Sequence, residues 1–288
     1  MMFTGEEMEK VYGVIGSPIS HSMSPMMHND LFEHYKIKAR YHAFHVPQDG
    51  VNAAIEGIKA LGIAGINVTI PHKIDVIEYL DEVEEVAANI GAVNTIVNEN
   101  GKLIGYNTDG TGFIRSLNRV ISNKELSSAK VLIIGAGGAA RGIFISLAAM
   151  GVKNIDIVNR TVERAKSIKD DCKFPVDSQA LGFVEAEADL GKYQVIVNTT
   201  SVGMHPNVDE MPLSLENITP KTIVSDIIYN PFETKLLQEA AKRGAITQNG
   251  IGMFVYQGAL AFEKWTGLFP DTDRMERLVT RLLGGKTC

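Results

Sequence analysis

Cysteine is nearly absent from this 288-residue chain: Cys172 and Cys288 stand far apart and outside any CxxC pattern. That excludes a disulfide framework and a thiolate zinc site, and it predicts free thiols in a reducing compartment. No stretch approaches the length of uninterrupted apolar residues that spans a membrane. The opening MMFTGEEMEK carries three glutamates in place of the apolar core a signal peptide needs. The chain is therefore expected in the cytoplasm, with no membrane partner. Net charge is −6, and no segment gathers lysine and arginine into the stripe that a phosphate backbone requires, so no nucleic-acid partner is expected. His21, His28, His42, His45 and His72 lack the paired spacing with a carboxylate that ligates a metal, and no metal is expected. Internal repeats are lacking as well.

What is present is a globular composition, 45% hydrophobic and 22% charged with 27 glycines, in a length that suits two domains. Strand-like runs alternate with helix-length segments, the cadence of α/β units around mostly parallel sheet. VYGVIG (11–16), YHAFHV (41–46) and GINVTI (65–70) read as strands, and SPMMHNDLFEHYK (24–36) and VNAAIEGIKALG (51–62) as helices. NENG (98–101) signals a hairpin, and a helical segment then reaches about Ile121. The polar, serine-rich SNKELSSAK (122–130) reads as a boundary. A second series follows: KVLIIG (130–135), NIDIVNR (154–160), VIVNTT (195–200), TIVSDI (222–227) and AITQNG (245–250) are strand-like, and 253–283 reads as helices that return to the first domain. The expectation is a two-domain α/β protein. An N-terminal α/β substrate-binding catalytic domain comprises 1–121 and the C-terminal helices 254–288, and a Rossmann-type dinucleotide-binding domain comprises 122–253.

The strand KVLIIG opens into GAGGAA (135–140), a G-x-G-x-x-A turn with a helix directly behind it. Gly135 is suited to the turn and Gly137 to close approach of a pyrophosphate, which the free N–H groups of the helix start would bind. The acidic residue that pairs with an NAD ribose is missing at the end of the next strand, where the chain reads Asn159-Arg160-Thr161 with Arg164 one turn on. A permanently charged guanidinium there suits a 2′-phosphate, so NADP is expected rather than NAD. Asp156 comes too early in the strand for the ribose role.

The first half of the chain has a surplus of polar residues at strand ends: Ser22 and Ser24 in SPISHSMSP, Asn67, Thr69 and Lys73 in NVTIPHK, Asn94 in GAVNT, and Asp109 in GYNTDG. In an open α/β sheet the carboxyl ends of strands gather on one edge, so these segments are expected to converge. The ordered set GSPISHSMSP, NVTIPHK, GAVNT, NTDG, GAGGAARG, NRT, DIIYNP and NGIGMFVYQGA resembles the shikimate dehydrogenase family over nearly the whole length.

The resemblance implies NADPH-dependent interconversion of 3-dehydroshikimate and shikimate in aromatic biosynthesis. It also implies site residues. Ser22 and Ser24 would bind the substrate carboxylate with Tyr229 nearby, and Thr69, Asn94 and Gln257 would hold ring hydroxyls. Lys73 and Asp109 match the family's catalytic residues. Gly135, Ala136, Gly137, Gly138, Ala139, Asn159, Arg160, Thr161, Arg164, Ile227 and Gly250 match its NADP contacts.

A lysine of ordinary basicity, pKa about 10.4, is a poor proton acceptor at neutral pH. The sequence therefore leaves open whether Lys73 or Asp109 takes the proton when shikimate is oxidised, with Lys73 favoured. Other readings stand beside these. Ser22 or Ser24 could cap the following helix and Asp109 could cap the segment from Gly110. His205, in NTTSVGMHPN (198–207), is expected on a mobile rim over the cofactor. Asn67 receives no role beyond support. A quinate or dual quinate/shikimate dehydrogenase is the nearest alternative, and a cofactor-sensing protein without catalysis the alternative of another class. A homodimer is compatible with the sequence.

Overall fold

In the computed structural model, which describes residues 8–284, apolar runs set between glycines and prolines form two six-stranded sheets, one in each of two units. The first unit extends to Thr108 and resumes over Gly258–Leu282, and the second covers Asp109–Gln257. The N-terminal heptad read against a signal peptide, the last residues of the 254–288 segment and Cys288 lie outside the described residues.

The first unit holds β1 (Lys10–Gly16), α1 (Ser24–His34), β2 (Ala39–His45), α2 (Val51–Ala60), β3 (Gly65–Val68), β4 (Glu82–Val83), α3 (Glu85–Ile90), β5 (Thr95–Glu99) and β6 (Lys102–Tyr106). Its strand order is β2-β1-β3-β5-β6-β4. The β1 strand is parallel to β2 and β3, whereas β5 and β6 form an antiparallel hairpin on β3. Asn100 and Gly101, both at positive φ, turn that hairpin as NENG predicts. An aromatic core packs on the β1 side of the sheet. Tyr12, Phe32, Tyr41 and Phe262 are buried there, and Trp265 donates from Nε1 to the Ile96 carbonyl at 3.0 Å. The indole fills the space that a Cβ on Gly65 would need.

The second unit holds α4 (Asp109–Leu117), α5 (Asn123–Ser128), β7 (Lys130–Ile134), α6 (Gly138–Met150), β8 (Asn154–Val158), α7 (Val162–Asp170), β9 (Ala180–Leu181), α8 (Phe183–Ala188), β10 (Val195–Asn198), β11 (Ile223–Asp226), α9 (Lys235–Lys242) and β12 (Ile246–Gln248). The strand order β12-β11-β10-β7-β8-β9 is parallel throughout, the doubly wound arrangement expected for a dinucleotide. The remaining helices are α10 (Ile251–Thr266), which belongs to the first unit from Gly258 on, and α11 (Thr272–Leu282).

The division between units falls after Thr108, earlier than the 121/122 boundary read from the sequence, because α4 packs on α6. Gly110 lies so close that a Cβ there would strike the Ser146 side chain and the Gly142 carbonyl. Nor is SNKELSSAK a plain linker. Its serine and glutamate form a capping box, with Ser122 Oγ accepting from Glu125 N at 3.3 Å and Glu125 Oε2 accepting from Ser122 N at 3.0 Å, so its polarity belongs to the start of α5. The two-residue strands β4 and β9 and the six-residue helices α3 and α8 are too short to show a period in the sequence.

Candidate active site

The polar segments of the first unit meet at one sheet edge because two kinds of strand deliver them there. Parallel β1 and β3 end at that edge, and the antiparallel β5–β6 hairpin both begins and ends there, with Thr95 opposite Asn67 and also opposite Tyr106. Backbone bonds tie the loops together. Ser17 N donates to the Ile70 carbonyl at 3.0 Å, Thr69 N to Ile15 at 3.0 Å, Val68 N to Asn94 at 2.8 Å, and Val93 N to the Lys73 carbonyl at 2.7 Å. Buried His72 bonds the Val46 carbonyl through Nε2 at 2.7 Å. Lys73 is thus held on both sides, half-buried between a fixed histidine and a backbone tie.

Asn67, given no definite role from sequence, is the centre of this edge. Its Oδ1 accepts from the Tyr41 hydroxyl at 2.7 Å, and its Nδ2 donates to the Asn94 carbonyl at 3.2 Å and to Thr95 Oγ1 at 3.1 Å. Burial pushes the Tyr41 hydroxyl well above its usual pKa, opposed by a hydrogen bond with Ser24, so Tyr41 remains a neutral donor. A chain of bonds therefore runs from Tyr41 through Asn67 to Asn94. Asn94 in turn donates to Thr108 Oγ1 at 2.9 Å and accepts from Thr108 N at 2.8 Å. The helix-cap reading of the serines does not hold: α1 starts after Met23 with no side-chain cap, Ser24 is already helical, and Ser22 Oγ accepts only from Ser24 N at 3.3 Å. Asp109 is the first residue of α4.

In the second unit the glycine turn fits a dinucleotide. Gly135 sits at φ +105°, where a side chain is strained, and a Cβ there would meet Thr199 Oγ1 at 2.8 Å and Thr200 Cγ2 at 2.9 Å. A Cβ on Gly137 or Gly138, by contrast, would meet nothing within 4 Å. The open space lies over the start of α6, a 13-residue helix with no acidic side chain in its first turn, where N–H groups and the helix dipole favour an anion. Arg160, Thr161 and Arg164 are exposed after β8, on a turn fixed by Asn159 Nδ2 donating to the Thr161 carbonyl at 2.8 Å. Asp156 is engaged elsewhere, accepting from Gln179 N at 2.9 Å and from the Tyr193 hydroxyl at 2.7 Å.

Beside the glycine turn, at the carboxyl ends of β10 and β11, lies a pocket of about 400 Å³. One wall is Thr199, Thr200 and Ser201 with Met204 and His205, and the other is Ile227 to Asn230. Tyr229 is 36% exposed, and its ring lies 5.6 Å from that of Phe254, tilted by 44°. Ile227 N donates to the Asn198 carbonyl at 3.1 Å, and Gly250 N to Ile228 at 2.9 Å. Gln257 Nε2 donates to Phe254 of its own helix at 2.8 Å, and its backbone lies where a Cβ on Gly112 would be.

Behind the walls, burial raises the pKa of Asp226, opposed by hydrogen bonds from Ile228 N, Thr234 and Asn198. Asn198, Thr199, Thr200, Ser201 and Asp226 were not singled out from sequence. Their signal was available in the same form as that of NVTIPHK, an apolar strand ending in polar residues.

Three family descriptions match the chain in order: the shikimate dehydrogenase substrate binding domain over residues 14–96, shikimate/quinate 5-dehydrogenase over 117–223, and the shikimate 5′-dehydrogenase C-terminal domain over 250–280. The chain is 59% identical over 278 residues to the shikimate dehydrogenase (NADP+) of a Geobacillus species, covering 96% of this chain and 100% of that one. A crystal structure of shikimate 5-dehydrogenase from Listeria monocytogenes in complex with shikimate and NAD superposes with a TM-score of 0.90 at 35% identity, covering 96% of this chain and 99% of that one. A shikimate dehydrogenase in complex with NADP+ superposes with a TM-score of 0.86 at 42% identity, covering 95% and 96%. The chain belongs to the shikimate dehydrogenase family.

Proposed function

We propose that the chain catalyses the reversible, NADPH-dependent reduction of 3-dehydroshikimate to shikimate, an oxidoreductase step at a CH–OH group in aromatic biosynthesis. The observation that carries this reading is the joined edge of the first unit, where Asn67, Asn94, Thr108 and the Lys73 segment are fixed by one set of hydrogen bonds, in a chain that also carries a dinucleotide turn. NADPH, when bound, would supply the hydride that the C3 carbonyl carbon accepts. Lys73 supplies the proton to the C3 oxygen and takes it back in the oxidative direction, with Asp109 as the second catalytic residue. Ser22 and Ser24 hold the substrate carboxylate together with Tyr229, and Thr69, Asn94 and Gln257 hold ring hydroxyls. Fixing the substrate in this way lowers the entropic part of the barrier.

On the cofactor side, the N–H groups from Gly135 to Ala139 receive the pyrophosphate. Arg160 and Arg164 pair with the 2′-phosphate, on a turn shaped by Asn159 and Thr161. Ile227 and Gly250 line the remainder. The catalytic domain comprises the first unit and the NADP domain the second, in a cytoplasmic enzyme, with a homodimer as the assembly to check by light scattering.

Steady-state rates with shikimate and quinate, each against NADP and NAD, test the reading. Shikimate with NADP should give the highest kcat/KM. Equal constants for quinate would move the chain to the dual-substrate class, and no turnover with any pair would leave a cofactor-sensing protein.

A further inference from the structure

Asp226 is a buried charge that the proposed chemistry does not use. It ends β11, is 1% exposed, and is not paired with any lysine or arginine among the described residues. A carboxylate in that position is costly to bury unless hydrogen bonds compensate it, and here two of the three bonds lead to opposite walls of the pocket. Oδ1 accepts from Ile228 N at 3.0 Å, in one wall. Oδ1 also accepts from Asn198 Nδ2 at 3.1 Å. Asn198 Oδ1 in turn takes Thr200 N at 3.0 Å and Thr200 Oγ1 at 2.8 Å, in the opposite wall. Thr200 Oγ1 goes on to accept from Val202 N at 3.2 Å. Oδ2 accepts from Thr234 Oγ1 at 2.8 Å, the N-cap of α9.

We propose that Asp226 is a positioning residue: through Asn198 and Ile228 it fixes the spacing of the two loops that wall the 400 Å³ pocket, and thereby the affinity for the nicotinamide half of the cofactor. The proposal rests on reading that pocket as part of the dinucleotide site. Two features support the link. The pocket's Thr199 and Thr200 lie against Gly135 of the phosphate turn. In a doubly wound sheet the strands on the β10–β11 side of the switch point serve the second nucleotide half. All three partners of Asp226 present donors, so the position needs acceptors toward Ile228 and Asn198 and tolerates a donor only toward Thr234 Oγ1. Asparagine meets that pattern; leucine and alanine do not.

The test compares Asp226→Asn, Asp226→Leu and Asn198→Ala with the intact full chain, measuring KM for NADP, KM for shikimate, kcat, and the Kd of 2′,5′-ADP, which carries only the adenosine half. Asp226→Leu and Asn198→Ala should raise KM for NADP about tenfold or more, the scale of one lost charge-assisted hydrogen bond. The Kd of 2′,5′-ADP should stay within about twofold, and Asp226→Asn should remain within about threefold of the wild type on every measure. Asn198→Ala keeps the test open if the leucine variant does not fold. An unchanged KM for NADP in Asn198→Ala overturns the proposal. So does an Asp226→Asn variant as impaired as the leucine variant, or an equal loss for NADP and 2′,5′-ADP. Failure of the wild type to bind NADP at all would instead overturn the cofactor reading beneath it.

Discussion

His28 should make the first unit acid-sensitive in a calculable way. Its ring is fully buried, neither nitrogen has a hydrogen-bond partner, and it lies against aromatic rings. Tyr41 is stacked at 4.5 Å, Trp265 is tilted at 5.3 Å and Phe262 is at 6.3 Å. Burial lowers its pKa from 6.5 to about 3. Above the unfolded pKa both states are neutral there and the shift has no effect on stability. As pH falls below about 6.5, the unfolded chain takes up a proton that the folded one refuses, so stability is lost. Between about pH 7.5 and pH 5 the loss works out to about 2 kcal/mol from this residue alone, and it does not depend on the folded pKa so long as that lies well below 5.

The protein's one tryptophan, Trp265, belongs to the same unit, so urea titrations followed by its fluorescence report the relevant unfolding. Other groups titrate over the same range, and the contrast with His28→Phe removes them. The wild type should lose about 2 kcal/mol more than the variant across that interval. Parallel profiles, differing by less than about 0.5 kcal/mol, would show that the folded ring accepts a proton and would refute the reasoning.

Lys73→Ala should lower kcat by roughly 10²-fold or more, the scale of a positioned acid or base, with a smaller change in KM for shikimate; near-wild-type turnover would remove it from the mechanism. Arg160→Asp should shift preference from NADP toward NAD by roughly tenfold or more, the value of one charge-assisted hydrogen bond to phosphate, and an unchanged ratio of the two kcat/KM values would sink the 2′-phosphate assignment. Asn67→Leu removes the group that joins Tyr41 to Asn94, leaving a buried phenol without its acceptor at a cost of about 1–3 kcal/mol. Chemical denaturation should register that loss and kinetics a rise in KM for shikimate with KM for NADP unchanged; a rise in both would make Asn67 merely structural.

Several features of the fold were legible because they are local. NENG carries its own turn chemistry, and KVLIIG followed by GAGGAA combines a strand period, a positive-φ glycine and a helix start within a dozen residues. The exchange of an acidic residue for Asn159-Arg160 at the end of β8 likewise needs no tertiary information to be noticed. SNKELSSAK was legible only as polar, because a capping box and a boundary segment share the same composition.

The sequence by itself determined two α/β units, the dinucleotide turn with its basic neighbour, and which strand ends are polar, since periodicity, glycine conformation and charge are properties of adjacent residues. Only the tertiary structure decided that α4 packs with the second unit, that Asn67 joins Tyr41 to Asn94, that His28 is sealed among rings, and that Asp226 reaches both walls of a pocket. Each of these depends on at least one hydrogen bond or packing contact between residues distant in the chain, Tyr41 with Asn67, Asn198 with Asp226, Gly110 with Ser146 and His28 with Trp265, and the composition of neither partner announces the other.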